Sequence, residues 1–230
     1  MKEYYKKWYE ELLKINDDNM KTWTKPYFLF DESCDIMIVA KESNEGSYKY
    51  PNDFETIYAD CKKAKEDYKK KPSKTDTIWK IANKLSSEVQ GKILINNLVK
   101  ISYNGKAGKH PKEQFLIKID NEGILQHEIE TLQPKVIVFL CGSYKNIIEN
   151  YLNIKIDGVL NSRNPIGIEF RYNNIPCLLN CHPGAHLTEE NREIYNNNII
   201  EFIKKQEQFA HVTSEKTALS KDSYGADGGN

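Results

Sequence analysis

The chain has 230 residues, with 33 Lys plus Arg against 33 Asp plus Glu, so its formal net charge is zero. A hydrophobic fraction of 39% with 29% charged residues suits one α/β domain with a sizeable core. The zero balance argues against a protein that coats nucleic acid nonspecifically, while leaving room for local phosphate-binding patches, and no apolar run reaches membrane-spanning length.

The first stretch, MKEYYKKWYEELLK, is amphipathic rather than signal-like. The expectation is a cytoplasmic, monomeric protein with no membrane partner. Tyr5, Trp8, Tyr9, Leu12 and Leu13 recur at helical spacing, which predicts a capping helix over residues 2 to 15 with its aromatics in the core. Residues 35 to 40, DIMIVA, read as a buried strand, followed by the polar loop KESNEGSYKYP from Lys41 to Pro51.

A helical pattern carried by Phe54, Ile57, Tyr58, Cys61, Ala64 and Tyr68 runs from Asp53 to Lys71. Its lysine-rich end reads as a solvated face. Thr75 or Asp76 suits the cap of a next helix with Ile78, Trp79, Ala82 and Leu85 inward. Ile93 to Asn96 is a second strand, running into NLVK, which ends at Lys100, and a loop that holds Lys106, Lys109 and His110. A Gly- and Lys-rich loop after a strand suits phosphate contacts, although it lacks P-loop spacing, and a plain basic loop is an equal reading.

A helix is expected over Glu122 to Leu132 and a third strand over residues 134 to 140. Gly142-Ser143 opens another helix through Tyr151. Residues 168 to 172 and 175 to 179 flank Asn173-Asn174, a two-residue hairpin turn. Thr188-Glu189-Glu190-Asn191 has the form of a capping box for a last helix through about Gln208. Beyond Thr213 apolar periodicity fails and the chain finishes GADGGN. Residues 1–210 are therefore expected as a single domain and residues 211–230 as a disordered tail. Strands alternating with helices predict a three-layer α/β/α sandwich with a mostly parallel central sheet.

Cys34, Cys61, Cys141, Cys177 and Cys181 are odd in number and lack CxxC spacing, so they read as reduced, buried thiols. That scatter argues against a zinc site or an iron–sulfur cluster, and no cofactor is expected. The most informative stretch is IPCLLNCHPGAHLT, residues 175 to 188. A strand ending at Cys181-His182-Pro183 puts the imidazole at the sheet's carboxyl end, where open α/β sheets bind ligands. Pro183 ends the pairing and Gly184 permits a sharp loop. The plainer reading is a surface histidine in a strand-to-helix turn.

Three strand ends then stand in order: AKESNEG, ILINNLVK and CHPGAHL. This order resembles the uracil-DNA glycosylase superfamily over roughly residues 35 to 205. The resemblance implies that fold, with DNA as partner. It also implies Glu42 in the water-positioning motif, Asn96 as the strand-terminal base reader, His182 as the catalytic histidine and Leu187 near the minor-groove wedge. Gly184 would shape the wedge loop, and Lys100, Lys106 and Lys109 would contact phosphates. Tyr48, Tyr50 or Phe54 could supply a flat surface for the base.

The first motif also departs from the family's Gly-Gln-Asp-Pro-Tyr. Here the chain reads Ala40-Lys41-Glu42-Ser43-Asn44, so Asn44 stands where the uracil enzymes place a tyrosine that blocks bulk at carbon 5. The substrate implied is therefore uracil or a pyrimidine enlarged at carbon 5, such as glucosylated hydroxymethylcytosine in phage DNA, with a defence role. A non-catalytic DNA- or protein-binding module of the same fold is the alternative from another class. A nucleotide-processing enzyme is the third reading, supported mainly by the lysine-rich loop.

Overall fold

A computed structural model describes residues 1–14, 24–31, 33–42, 53–70, 77–101, 123–160, 165–183 and 187–222. Helix α1 (Lys2–Lys14) precedes strand β1 (Ile36–Glu42), then come α2 (Phe54–Lys70), α3 (Thr77–Glu88) and β2 (Ile93–Val99). Helix α4 (Ile124–Leu132) leads to β3 (Val136–Phe139), and a 3-10 turn (Gly142–Tyr144) leads into α5 (Lys145–Leu152). The chain closes with the hairpin β4 (Ile168–Tyr172) and β5 (Ile175–Leu179), then α6 (Glu189–Asp222).

The strands form one five-stranded sheet in the order β2-β1-β3-β5-β4. β1 pairs in parallel with β2 and β3, β3 pairs in parallel with β5, and among the described strands only β4 runs antiparallel. Alternation along β1 sorts its residues to two faces. Met37 and Val39 join a cluster with Tyr5, Trp8, Leu12, Ile57, Leu125, Ile129 and Ile148, which covers one face with α1, α2, α4 and α5. Ile36, Ile38 and Ala40 join Ile78, Leu85, Tyr195, Ile199 and Ile203 from α3 and α6 on the other. The outcome is the expected three-layer arrangement around a mostly parallel sheet.

Local chemistry explains the element ends. Asn173 and Asn174 both adopt left-handed φ, 47° and 67°, as a type I′ hairpin turn demands. The Asp53 carboxylate accepts the Thr56 N–H at 2.8 Å and caps α2, and the Thr188 hydroxyl accepts the Asn191 N–H at 3.2 Å and caps α6. The Thr75 and Asp76 caps lie outside the described residues. All five cysteines are buried thiols, as their spacing implied.

Three expectations are corrected here. Helix α6 runs to Asp222, through the expected stop at Gln208 and into the stretch read as a tail, because no Gly or Pro interrupts residues 189 to 222. Strand β2 does not stop at Asn96 but continues to Val99, which pairs with Glu42. Phe54, offered as a base-stacking surface, is buried and packs beside Tyr9, Phe28 and Tyr58 as core.

Candidate functional site

The sheet order marks where a ligand would bind before any side chain is considered. From β1 the chain steps to β2 on one side and then to β3 on the other, so the switch of direction falls between β1 and β3. Ligands of open α/β sheets settle outside the carboxyl ends of strands at such a point. Lys41 and Tyr144 meet there, with the ammonium 4.4 Å from the ring centroid.

Register aligns the strands that lead to the candidate residues. Val39 pairs with Asn96 and with Phe139, and Phe139 pairs with Leu179, making one row across four strands. Glu42 and Val99, three residues beyond that row, are still paired, whereas β3 and β5 end in it at Phe139 and Leu179. Glu42 is the last residue of β1, and His182 follows β5 by three residues and is half-buried.

The approach to His182 is built stiffly. Asn180 is fully buried, and its Nδ2 donates to the Pro165 carbonyl at 3.0 Å and to Asn198 Oδ1 at 3.3 Å. The Cys181 N–H donates to Asn180 Oδ1 at 2.8 Å, and the Tyr195 hydroxyl donates to the Cys181 carbonyl at 2.9 Å. Both main-chain groups of the residue before the histidine are thus held by side chains. Gly142 donates its N–H to the Asn180 carbonyl at 2.9 Å, and a Cβ there would run into the Leu160 side chain and come within 2.9 Å of Asn180 O. Only glycine permits so close a crossing of β3 and β5. Leu187 is half-buried and packs against the α3 and α6 side of the core.

Asn96 and Lys100 do something other than expected. Asn96 has no exposed surface: its Nδ2 donates to Glu128 Oε2 at 2.8 Å, and its Oδ1 accepts from Lys100 Nζ at 2.7 Å. An amide so enclosed and committed does not face a base, so its assignment as base reader is corrected. Lys100, expected on phosphate, is 4% exposed; its ammonium donates to Asn96 Oδ1, to the Asn97 carbonyl at 2.9 Å and to Glu128 Oε2 at 2.7 Å. The desolvated ammonium is compensated by carboxylate and carbonyls, and no face remains for a phosphate. Glu128 Oε1 accepts from the Tyr5 hydroxyl at 2.6 Å, and Tyr5 in turn accepts the Leu29 N–H at 3.0 Å. Burial, reinforced by the Glu128 carboxylate, pushes the Tyr5 phenol well above its ordinary pKa.

Among the described residues β2 has a strand neighbour on one side only, and Tyr27 bonds to its other edge. The Tyr27 hydroxyl donates to the Ile95 carbonyl at 3.0 Å, and the Tyr27 N–H donates to the Lys100 carbonyl at 2.8 Å. Asn97, which sequence reading passed over, is buried on the opposite sheet face from Asn96, in register with Ala40. A signal for the Glu128 role was present in ILQHEIETL, where the glutamate lies on the stripe of Ile124, Leu125, Ile129 and Leu132.

Asn44, Tyr48, Tyr50, Gly184, Lys106 and Lys109 lie outside the described residues. Among the described residues no group of His, Cys, Asp or Glu is arranged to hold a metal ion, and no helix is long and apolar enough to cross a membrane. No protein-family model matches the chain, and no curated protein matches it in sequence.

Proposed function

We propose that this protein is a DNA glycosylase of the uracil-DNA glycosylase kind, which hydrolyses the N-glycosidic bond of a flipped-out pyrimidine and leaves an abasic site. The observation that carries the reading is that Glu42 ends β1 and His182 follows β5 at the same carboxyl edge of a parallel sheet, with one strand between theirs. Adjacent strands lie about 4.8 Å apart, so the two backbones are separated by about 10 Å, enough for a nucleoside between them.

In this reading a duplex enters at the carboxyl edge and gives up one nucleotide from its stack, at a cost of a few kcal/mol. Bond breaking leaves positive character on the sugar and negative charge on the departing base. A neutral His182 donates a hydrogen bond to the base carbonyl and stabilises the anion where it develops. Glu42 orients a water at the far side of the sugar and favours the cation electrostatically. The water oxygen bonds to the anomeric carbon, the bond to the base nitrogen breaks with its electron pair going to the base, and the water's proton passes to Glu42 and from there through solvent to the base nitrogen, so that the base is released neutral.

Substrate class follows from Asn44. With no tyrosine at that position, bulk at carbon 5 is admitted, and the substrates are uracil or a modified cytosine such as glucosylated hydroxymethylcytosine. Lys106 and Lys109 are the phosphate contacts, Gly184 shapes the loop after His182, and Leu187 follows the nucleotide into the duplex. Incubation with duplexes carrying uracil, hydroxymethylcytosine or its glucosylated form, followed by cleavage at abasic sites, tests the proposal. Strand scission at one of these bases supports it. The second reading, a binding module that cleaves nothing, is favoured by the zero net charge and the altered first motif, and it predicts duplex retention without scission.

A further inference from the structure

The two edges of the sheet are finished differently. The β2 edge is held by Tyr27, whose hydroxyl and N–H donate to the Ile95 and Lys100 carbonyls. At the other edge, β4 has a strand neighbour on one side only among the described residues. In a two-residue hairpin the residues flanking the turn exchange main-chain hydrogen bonds, so Tyr172 turns its N–H and C=O to β5, and Phe170 and Ile168 follow the same parity. The main-chain groups of Glu169 and Arg171 therefore point out of the sheet. An edge of this kind is a template for another strand.

Side chains at this edge are sorted by face. Glu169 and Arg171 are exposed on the α6 face, where the Glu169 carboxylate accepts from Lys205 at 3.2 Å. Ile168, Phe170 and Tyr172 turn to the other face and pack with the Tyr5 and Leu125 cluster, but Ile168 and Phe170 are only half-buried. The segment after α5 lies beside them: a Cβ at Gly158 would touch the Ile168 side chain at 3.4 Å, and the next residue, Val159, is 94% exposed. Ile166, just before β4, is 55% exposed. An apolar strip thus runs out to the end of the sheet.

We propose that β4 is the interface of a two-fold homodimer, in which β4 of one copy pairs antiparallel with β4 of a second copy and the two sheets become one. The occupant follows from the sequence of the strand, IEFRY. Centred on Phe170, an antiparallel pairing sets Ile168 opposite Tyr172, Glu169 opposite Arg171 and Phe170 opposite itself. Each carboxylate then meets a guanidinium on the same face, and the two-fold repeats the contact. The same register sets the outward main-chain groups of Glu169 and Arg171 against one another as hydrogen-bonded pairs, so backbone and side chains demand one alignment. A slip to the next register that keeps those bonds sets Glu169 against Glu169 in one direction and Arg171 against Arg171 in the other. Like charges directly opposite oppose both slips.

The layers leave room for the pairing. Helix α6 packs on β3 and β5. In the joined sheet β5 and its copy are three strand spacings apart, about 14 Å, whereas packed helices need about 8–10 Å between axes. The assembly also closes: the remaining edge of each sheet is the one held by Tyr27, so association stops at two copies. The two-fold sets β5 antiparallel to its copy, and the carboxyl edges that carry Glu42 and His182 lie at opposite ends of the joined sheet. The inference does not depend on the glycosylase reading, and it departs from the monomer expected of the sequence.

Sedimentation of the full-length protein over a micromolar to millimolar concentration series tests the proposal. The wild type is expected to pass from monomer to dimer. Arg171→Glu and Glu169→Arg each set like charges opposite one another and are expected to weaken self-association by about tenfold or more. Mixed in equal amounts, the two variants regain both opposite-charge contacts and are expected to associate with each other. The double exchange Glu169→Arg/Arg171→Glu is expected to dimerise with itself. Both side chains are exposed, so the variants are expected to keep the fold, which circular dichroism checks. Amide hydrogen exchange on the unaltered protein supplies a second reading: the Glu169 and Arg171 N–H groups should slow as concentration rises, while that of Phe170, already turned to β5, should not respond. A wild type that stays monomeric throughout would overturn the proposal. So would a dimer that survives both single exchanges, single variants that ignore one another on mixing, or Glu169 and Arg171 amides that exchange at one rate at every concentration.

Discussion

Replacing Glu128 with glutamine keeps the volume of the side chain and removes one charge of a buried pair. The side chains of Lys100 and Glu128 are 3% and 1% exposed, so water screens their interaction little. Breaking such a pair by removing one partner costs about 3–5 kcal/mol, because the remaining ammonium stays buried without its counter-charge. Domains unfold with about 5–15 kcal/mol in total, so the loss is a large share of the stability. At about 2–4 °C per kcal/mol for a chain of this size, the melting midpoint should fall by about 6–20 °C. The surface pair of Lys135 and Asp35 is the internal control: it is as short, 2.8 Å, but its side chains are 76% and 34% exposed. Such pairs contribute about 0–1 kcal/mol. Guanidinium unfolding of Glu128→Gln and Lys135→Gln under one set of conditions makes the comparison. Equal losses in the two variants would refute the view that the buried network organises this side of the sheet.

Gly142→Ala should lower the melting midpoint, at about 1–3 kcal/mol, because the new methyl meets the Leu160 side chain and the Asn180 carbonyl; an unchanged thermal melt would contradict that contact. The Asp35 carboxyl is held below its usual range, first by Lys135 and then by the Lys92 N–H. Its contribution is present above the ordinary carboxylate pKa of about 3.9 and is lost as pH falls through the lower folded value. Asp35→Asn should therefore flatten the loss of stability on acidification below about pH 4, read from urea midpoints against pH. Leu187→Ala should slow excision from duplexes more than from single strands, which need little unstacking; equal slowing on both substrates would assign Leu187 to packing alone.

The architecture was legible where local chemistry decides it. Two adjacent asparagines between alternating apolar runs specify a hairpin turn, and the periodicity of residues 2 to 14 placed Tyr5, Trp8, Tyr9 and Leu12 inward. The roles of Asn96 and Lys100 were not legible, because they depend on Glu128, a partner 28 residues beyond Lys100 that only the folded chain delivers. β2 is buried on both faces, so its sequence carries no alternation to say which of two consecutive asparagines turns toward which layer. The end of α6 was misjudged for a related reason. Loss of apolar periodicity reports loss of a buried face, whereas a helix ends where its backbone is interrupted.

The central claim is that His182 stabilises charge on a departing base, and single-turnover excision by wild type and His182→Ala tests it most directly. The duplex to use is whichever of uracil, hydroxymethylcytosine or glucosylated hydroxymethylcytosine the wild-type protein releases. An interaction made only in the transition state should appear in the rate: loss of one such donor lowers the rate by about 100- to 1,000-fold, with duplex binding and melting midpoint nearly unchanged. Excision by His182→Ala at the wild-type rate would contradict the account.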